Sequence, residues 1–388
     1  MKILYLHQYY KTLEEGGAIR SFHIAKAMSE NGHHVDVITS SNDKNAKLVD
    51  GKIVVHYFKI GYSNSYGFIR RIFAFLLFII FSTYKSFKVR NVDLIYATST
   101  PLTVAIPCLI VSFFRKIPFV FEVRDLWPGV PQELGLLKNT LVLNILYKLE
   151  FLVYLKASTI IVLSEGMYDN IVFRYPQFKH KIQVVTNFCD LELASNFPKK
   201  ISKSDNVKVK ICYAGTLGFA NEVNQLIDLA IYADLHFKNK FEFSIIGDGA
   251  QLQMLKSIAP VNVSFFDYLN KNDTYKILSE SDFSYVSYKV DSKLLHTGSP
   301  NKFFDSLSLG TIPIINFHGW IFNLLHNEDV LLFHEKYNEK DLLLKLLNIC
   351  KSDEIYGFYS LKCLKVARTK FSKNDSLDRI ICILNNIK

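Results

Sequence analysis

The chain lacks the features that mark a disulfide-stapled, metal-stapled or membrane-spanning protein. Its six cysteines are scattered over 388 residues with no C-x-x-C pair, which fits a reducing compartment and argues against a disulfide framework. No segment reaches the roughly 18 to 20 apolar residues that span a bilayer. The first predicted strand, Lys2 to Leu6, leaves no room for a signal peptide. No Gly-x-Gly-x-x-Gly is present, which disfavours a nicotinamide dehydrogenase. A cytoplasmic protein is expected.

The charge balance points to anionic partners. A formal net charge of +10 favours nucleotide phosphates, lipid phosphates or an anionic membrane surface. Nucleic acid is disfavoured, because the chain has no zinc-ligand spacing, no basic stripe interleaved with aromatic residues and no recognition-helix signature.

The order of apolar runs predicts an α/β protein with two domains. The length of 388 residues exceeds one usual core, and short apolar runs alternate with helix-length segments, as in parallel sheets with crossover helices. Polar, lysine-rich residues 190–207 predict an interdomain linker. We expect two Rossmann-like domains facing a cleft, 1–190 and 191–371, with a C-terminal helix at about 372–388 joining the first. The predicted strands are Lys2–Leu6, Val35–Thr39, Ile53–Phe58, Leu94–Ala97, Phe119–Glu122, Thr159–Leu163, Gln183–Thr186, Lys208–Ala214, Phe241–Ile246, Val263–Phe266, Phe283–Ser287 and Ile312–Asn316.

The most specific pattern lies between Lys293 and Pro313. A polar, glycine-containing loop opens directly into a helix, whose first N–H groups and dipole favour an anion. On that helix Lys302 offers a charge to a phosphate, and Asp305 offers a carboxylate to sugar hydroxyls. The alternative is that Asn301 is a solvated cap and that Lys302 and Asp305 form an ordinary surface ion pair.

Two other loops follow strands at the edge where open α/β sheets place ligands. Gly16 and Gly17 lie between the first strand and its helix, where a backbone approaches phosphates, although two glycines also suit a plain turn. Glu122, Arg124 and Asp125 follow the strand at 119–122. An Arg124–Asp125 structural pair is the alternative for that loop.

Together these motifs resemble glycosyltransferase family 4. The resemblance covers nearly the whole chain: Gly-Gly-x-x-Arg at residues 16–20, Glu-x-Arg-Asp-x-Trp-Pro at 122–128, loops at 213–218 and 246–249, and Pro-x-Lys-x-Phe-Asp at 300–305 followed by Gly-x-x-Pro at 310–313. The heptad at 122–128 is similar to that of enzymes that build bacterial O-antigen and capsule sugars. The resemblance implies a GT-B fold and transfer of a sugar from a nucleoside diphosphate with retained configuration.

The resemblance also implies roles for individual residues. Glu122, Arg124, Asp125, Lys302 and Asp305 are the implied catalytic residues. The implied donor-binding residues are Gly16, Gly17, Arg20, Gly215, Thr216, Gly218, Tyr268, Leu269, Gly298, Ser299, Pro300, Asn301, Lys302 and Asp305.

The chain departs from the family pattern at two points. No cation follows Gly218, since Phe219, Ala220 and Asn221 stand there. Of the two glutamates that the family often carries seven residues apart, Asp305 takes the second position and Thr297 the first, with His296 adjacent. The diphosphate charge is therefore expected to rest on Lys302, on backbone N–H groups and on Arg20, without a metal ion or other cofactor. Backbone N–H groups around Gly298 and Ser299 are expected to take part of the sugar-binding role of the missing first glutamate.

The expected substrates are a UDP-sugar, with an N-acetylated hexosamine or a deoxyhexosamine, and a polyprenyl diphosphate-linked saccharide acceptor in a bacterial surface polysaccharide pathway. Two alternatives stay open: a nucleotide-sugar 2-epimerase of GT-B architecture, and a catalytically inactive partner subunit.

One apolar segment predicts contact with lipid. Ile72 to Phe81 is a run of ten apolar residues with basic residues on both sides. It reads either as a buried helix or as an in-plane helix on an anionic membrane surface, and we favour the second. A second apolar stretch, Leu141 to Leu155, is interrupted by Lys148 and Glu150. The expected location is the inner face of the bacterial cell membrane, as a peripheral protein.

Overall fold

The computed structural model describes residues 1–62, 66–199, 208–289, 292, 294–328 and 330–387. Two sheets organise the chain. The strands are β1 Lys2–Leu6, β2 His34–Ser41, β3 Ala46–Asp50, β4 Ile53–Lys59, β5 Leu94–Thr98, β6 Phe119–Val123, β7 Thr159–Val162, β8 Ile182–Val184, β9 Val209–Ala214, β10 Phe241–Ile246, β11 Val263–Phe266, β12 Phe283–Val286, β13 Ile312–Ile315 and β14 Leu332–Phe333. All twelve predicted strands are confirmed to within two residues at each end.

The α-helices lie mostly in the connections between strands, and the last three follow β14. They are α1 Arg20–Glu30, α2 Phe68–Lys88, α3 Ala105–Arg115, α4 Gly129–Glu133, α5 Thr140–Lys156, α6 Glu165–Arg174, α7 Leu191–Ala194, α8 Asn224–His236, α9 Leu252–Ile258, α10 Lys271–Glu280, α11 Leu294–Thr297, α12 Asn301–Ser308, α13 Trp320–Leu325, α14 Glu339–Cys350, α15 Asp353–Lys370 and α16 Lys373–Asn385.

The first sheet has the order β3-β4-β2-β1-β5-β6-β7-β8, and the second β11-β10-β9-β12-β13-β14. Within the described residues, the strand pairings of both sheets are parallel except that of β3 with β4, which is antiparallel. Parallel central strands are covered by helices on both faces and therefore read as short apolar runs. The chain order and the two doubly wound sheets confirm the predicted α/β GT-B fold.

Two strands, β3 and β14, and one helix in the predicted linker differ from the sequence expectations. The strand β14 has only two residues, too few to show an apolar pattern. The edge strand β3 was missed because four of its five residues are exposed, so no apolar pattern marks it. The predicted linker begins with the short helix α7, whose cap Asp190 accepts a hydrogen bond from Leu193 N at 3.2 Å. Residues 200–207 of that linker lie outside the described residues.

The C-terminal helix α16 lies in the core beside the first sheet. Its buried Ile380 and Leu384 belong to one hydrophobic cluster with Ile3, Tyr5 and Met28. Because the second sheet precedes α16 in the chain, the polypeptide crosses between the sheets a second time just before Ser372, where Cys189 and Ser372 form an isolated parallel bridge.

No helix among the described residues is long and apolar enough to cross a bilayer.

Candidate active site

The helix α12 carries a buried lysine at its start. Lys302 is 9% exposed, and its Nζ donates to Tyr213 Oη and to Asn221 Oδ1, each at 3.0 Å. The same Nζ lies 4.3 Å from the centroid of the Tyr213 ring. In the part of the chain that the structure describes, no carboxylate pairs with this amine. Burial lowers the pKa of Lys302 to about 7, since a low-dielectric site disfavours the charged form.

The glycine loops build the walls around Lys302. A Cβ added at Gly215 would lie 3.4 Å from Lys302 Cε, and one added at Gly247 would lie 2.0 Å from Gly215 O. Thr216 O accepts from Tyr213 Oη at 2.8 Å and from Asn221 Nδ2 at 3.0 Å. The loop after β9 therefore orients both partners of the lysine amine.

Asp305 lies one turn further along α12 and is paired elsewhere. Both of its carboxylate oxygens accept from Lys271 Nζ at 2.7 Å, and Tyr275 Oη donates to Oδ1 at 2.9 Å. The alternative of a surface Lys302–Asp305 ion pair is wrong, because Lys302 is buried and Asp305 bonds to Lys271. The alternative that Asn301 caps the helix is also wrong: the cap position is Pro300, which has no side-chain hydrogen bond.

The glycine loop of the first sheet touches the second sheet's domain. Gly16 and Gly17 have φ of +69° and +77°, a conformation that favours glycine. A Cβ at Gly16 would lie 2.9 Å from Leu269 O, and one at Gly17 would lie 2.7 Å from Tyr268 Oη. Tyr268 Oη donates to Glu15 O at 3.2 Å. Four predicted donor-binding residues from distant parts of the sequence thus meet in one contact.

Arg20 and Glu122 form a buried pair. Arg20 is 3% exposed and Glu122 is 0% exposed. The three guanidinium nitrogens donate to Glu122 Oε2 at 3.2 Å, Thr186 O at 2.6 Å and Val185 O at 3.0 Å, and Tyr96 Oη donates to Glu122 Oε2 at 2.7 Å. The sequence led us to expect ligand contacts here. In the structure, this ion pair instead connects α1, β6 and the residues after β8 through buried contacts.

The next two residues of the same motif are more open. Arg124 and Asp125 are each half-buried. Asp125 Oδ2 accepts from Thr100 Oγ1 at 2.8 Å, and Arg124 N donates to Ser99 Oγ at 3.1 Å. No ion pair joins Arg124 to Asp125 or to any other described residue, so the predicted alternative of a structural pair is not what forms. Burial raises the pKa of Asp125.

The charge of Asp125 also acts on a residue of the second domain. Tyr288, which follows β12, has its pKa raised first by burial and next by the charge of Asp125. Tyr288 in turn raises the pKa of Tyr213, again after burial. Asp125 thus acts electrostatically on Tyr288, and Tyr288 on Tyr213, whose hydroxyl accepts from Lys302 Nζ at 3.0 Å.

The loop before α12 is an interdomain bridge. Thr297 O accepts from Ser164 Oγ, and Ser299 O accepts from Asn187 Nδ2, each at 2.7 Å. Gly298 O accepts from Trp320 Nε1 at 2.6 Å. The carbonyl groups of this loop are therefore engaged in protein contacts.

The sequence reasoning missed several residues of this region. Lys271, Tyr275, Tyr213 and Asn221 contact Asp305 or Lys302. Lys271 begins α10 and Asn221 follows β9, whereas Tyr213 within β9 and Tyr275 within α10 carry no local signal. His7 was also missed. It is buried at the end of β1 with an unpartnered Nδ1, and burial, followed by the charge of Arg124, lowers its pKa well below the ordinary value.

Comparison with known proteins agrees with this fold and cleft. The sequence model described as Glycosyltransferase Family 4 matches residues 15–193, somewhat under half of the chain. A search of curated proteins gives no match. Sucrose-phosphate synthase from Thermosynechococcus elongatus is similar in structure, with a TM-score of 0.74, 12% identity, and coverage of 99% of this chain and 98% of that one.

Two further solved structures have the same fold. HepE from Anabaena, solved in complex with UDP-glucose, has a TM-score of 0.70 and 16% identity, with both chains covered completely. WaaG, a glycosyltransferase involved in lipopolysaccharide biosynthesis, has a TM-score of 0.65 and 12% identity, with coverage of 97% of this chain and 99% of that one.

The chain has the GT-B fold, and its residues 15–193 match the model of glycosyltransferase family 4. The predicted resemblance to glycosyltransferase family 4 is likewise confirmed, by a match that spans nearly all of the first sheet and its helices.

Proposed function

We propose that the protein transfers a sugar from a UDP-sugar, with retention of configuration and without a metal ion, to a lipid-linked saccharide at a membrane surface. The main support for the nucleotide-sugar donor is the environment of Lys302. Its buried amine lies at the start of a helix in the interdomain cleft and has no carboxylate partner among the described residues. Such an amine is suited to the diphosphate of a nucleotide sugar. The structurally similar HepE, which was solved in complex with UDP-glucose, supports UDP as the nucleotide.

The proposed chemistry centres on the departing diphosphate. The bond between the anomeric carbon and the phosphate oxygen breaks, the acceptor hydroxyl attacks the same face, and its proton passes to the leaving phosphate. Lys302 and the first N–H groups of α12 stabilise the negative charge that develops on the leaving oxygen. Asp125, at the facing edge of the first sheet, is placed to contact the transferred sugar.

The proposed sugar is an N-acetylated hexosamine or a deoxyhexosamine, and the proposed acceptor is a polyprenyl diphosphate-linked saccharide of a bacterial surface polysaccharide. Two proteins of similar structure support this class of reaction. They are WaaG, a glycosyltransferase involved in lipopolysaccharide biosynthesis, and TarM from S. aureus, solved in complex with UDP and alpha-GlcNAc-glycerol.

An apolar face of the first domain supports the membrane part of the proposal. The helix at the predicted segment extends over 21 residues as α2. Its Ala74 and Phe78 are buried in the core, whereas Ile69 is 83% exposed. The exposed large apolar residues of α2, α3 and α5 are Ile69, Ile72, Phe73, Leu76, Ile80, Phe81, Tyr84, Phe87, Phe113, Phe114, Leu141, Val142, Ile145, Phe151, Leu152 and Leu155.

Contacts between α2 and α3 and between α3 and α5 make this face continuous. Phe87 of α2 and Phe114 of α3 have ring centroids 6.4 Å apart. Exposed cations at its margins, including Arg70, Lys88 and Arg90, complement an anionic bilayer. We propose peripheral attachment to the inner face of the cell membrane through this surface.

A donor and acceptor screen tests the proposal. Purified protein is incubated with a panel of UDP-sugars, with and without a polyprenyl diphosphate-linked acceptor, in the presence and absence of EDTA. Transfer that survives EDTA is expected. Acceptor-independent interconversion of UDP-sugars would indicate the epimerase, binding without turnover would indicate an inactive partner, and loss with EDTA would refute the metal-free reaction.

Two matched pairs of variants accompany the screen. Lys302→Ala is expected to lower turnover by about 100-fold or more, whereas Lys208→Ala, which removes a surface lysine paired with Glu242 at 2.8 Å, is expected to have no effect. Phe73→Asp is expected to weaken flotation with anionic vesicles, whereas Val261→Asp, at an exposed apolar position in the second domain, is expected to leave it unchanged.

A further inference from the structure

Three charged side chains lie near the start of α12, and among the described residues two of them form an ion pair. Lys302 and Asp305 belong to α12, and Lys271 is the first residue of α10. Lys271 contacts both oxygens of Asp305 at 2.7 Å. Among the residues that the structure describes, the hydrogen-bond partners of Lys302 Nζ are the neutral groups Tyr213 Oη and Asn221 Oδ1. The carboxylate of Asp305 thus pairs with Lys271 and not with Lys302.

The geometry of α12 alone does not explain why Asp305 pairs with Lys271. Residues three apart on a helix are neighbours, so a lysine and an aspartate at 302 and 305 are placed to pair with one another. A pair formed in a buried site is stronger than one in water. Lys271, which belongs to another helix, makes two short contacts with the Asp305 carboxylate. The carboxylate is therefore not paired with Lys302.

The position of Lys271 is well defined. It is 7% exposed, and the preceding residue Asn270 caps α10 by accepting from Asp273 N at 2.9 Å. Tyr275, one turn later on α10, donates to the same carboxylate at 2.9 Å. Two side chains of α10 therefore hold Asp305, whereas the partners of Lys302 come from β9 and the loop after it.

We propose that Lys271 is a positioning residue of the donor site, which holds Asp305 so that the charge of Lys302 stays available to a phosphate. Two lysines and one carboxylate leave the site with one surplus positive charge. Without Lys271, Asp305 would turn to Lys302 and neutralise it. This inference rests on the proposed function for its ligand, a nucleoside diphosphate.

The first test uses the ligand-free protein. Lysines are labelled by reductive ¹³C-methylation, and the Lys302 resonance is identified by its loss in Lys302→Met. In the wild type it should titrate near neutral pH, as burial implies. In Lys271→Met the midpoint should rise clearly, because Asp305 then stabilises the charged amine. An unchanged midpoint would refute the proposal whether or not the protein binds UDP.

The second test measures UDP affinity by calorimetry for the wild type, Lys271→Met, Asp305→Asn and the double variant. We expect Lys271→Met to weaken binding about tenfold or more, equivalent to about 1.4 kcal/mol. The double variant should regain the affinity of Asp305→Asn, since no carboxylate is left to neutralise Lys302. A double variant as weak as Lys271→Met would show that Lys271 acts through folding alone, and would overturn the proposal.

Lys208→Met is the matched control for loss of a lysine from an ion pair, because it removes the partner of Glu242 on the surface. Its affinity should equal that of the wild type. Absence of UDP binding by the wild type would refute the proposed donor and leave the lysine titration to decide the role of Lys271.

Discussion

Replacing Lys302 by methionine should stabilise the ligand-free protein while it removes donor binding. Burial lowers the pKa of this lysine from 10.5 to about 7. Between these two values the unfolded chain binds a proton that the folded chain does not, so stability rises with pH across this window and the penalty is largest below pH 7. Using 1.36 kcal/mol per pKa unit, the burial of Lys302 costs roughly 4 kcal/mol at pH 7 and roughly 2 kcal/mol at pH 9.

The expected gain is smaller than this cost. Lys302→Met loses two hydrogen bonds, to Tyr213 and to Asn221, each contributing about 1 kcal/mol. A net stabilisation of about 2 kcal/mol at pH 7 remains, and it should vanish near pH 9. The shift in melting temperature at pH 7 is then several degrees.

Differential scanning calorimetry without nucleotide, at pH 7 and pH 9, checks this expectation. Lys208→Met serves as the control, because that lysine is exposed and its substitution should move neither melting temperature. Two results would refute this reasoning. One is a Lys302→Met protein that melts below the wild type at pH 7, and the other is a difference in melting temperature that does not depend on pH. Either would show that the buried amine of Lys302 does not destabilise the ligand-free protein.

Three further outcomes are expected. UDP-glucose affinity should fall between pH 7 and pH 8.5, approaching a tenfold loss per pH unit, because binding requires the charged form of Lys302 while the sugar diphosphate has no proton that titrates there; a flat calorimetric profile would contradict this. Gly249→Ala should lower the melting temperature, since its Cβ would lie 2.3 Å from Leu217 O, while Gly67→Ala, where nothing lies within 4 Å, should not; equal melting temperatures would show that the backbone yields without cost. Asp125→Asn should reduce kcat at least about tenfold with little change in UDP affinity, and a kinetic assay showing normal kcat would remove Asp125 from the reaction.

Much of the fold could be predicted because local signals survive in the sequence. Central parallel strands are buried on both faces, so they appear as short apolar runs whose positions need no tertiary information. The edge strand β3 carries no such signal, since its residues face solvent. The helix α2 was recognised only through its apolar core of ten residues, although it runs from Phe68 to Lys88.

The candidate site was predictable where a motif places a residue at the start of a helix. Lys302 and the loop before it were found in this way. The partners of its residues were not, because Lys271 lies 34 positions before Asp305, and Arg20 lies 102 positions before Glu122. Contacts at such separations depend on strand order and helix packing, which no local pattern contains.

The amino-acid sequence by itself determined the two-domain α/β class, the strand positions and the helix that presents Lys302, because short-range periodicity and helix-start chemistry are local properties. Only the tertiary structure decided which charges are neutralised. It paired Arg20 with Glu122 in the interior and Asp305 with Lys271, leaving Lys302 with neutral partners. The pairing of buried charges depends on distances between elements that are remote in the chain, and burial then sets their protonation.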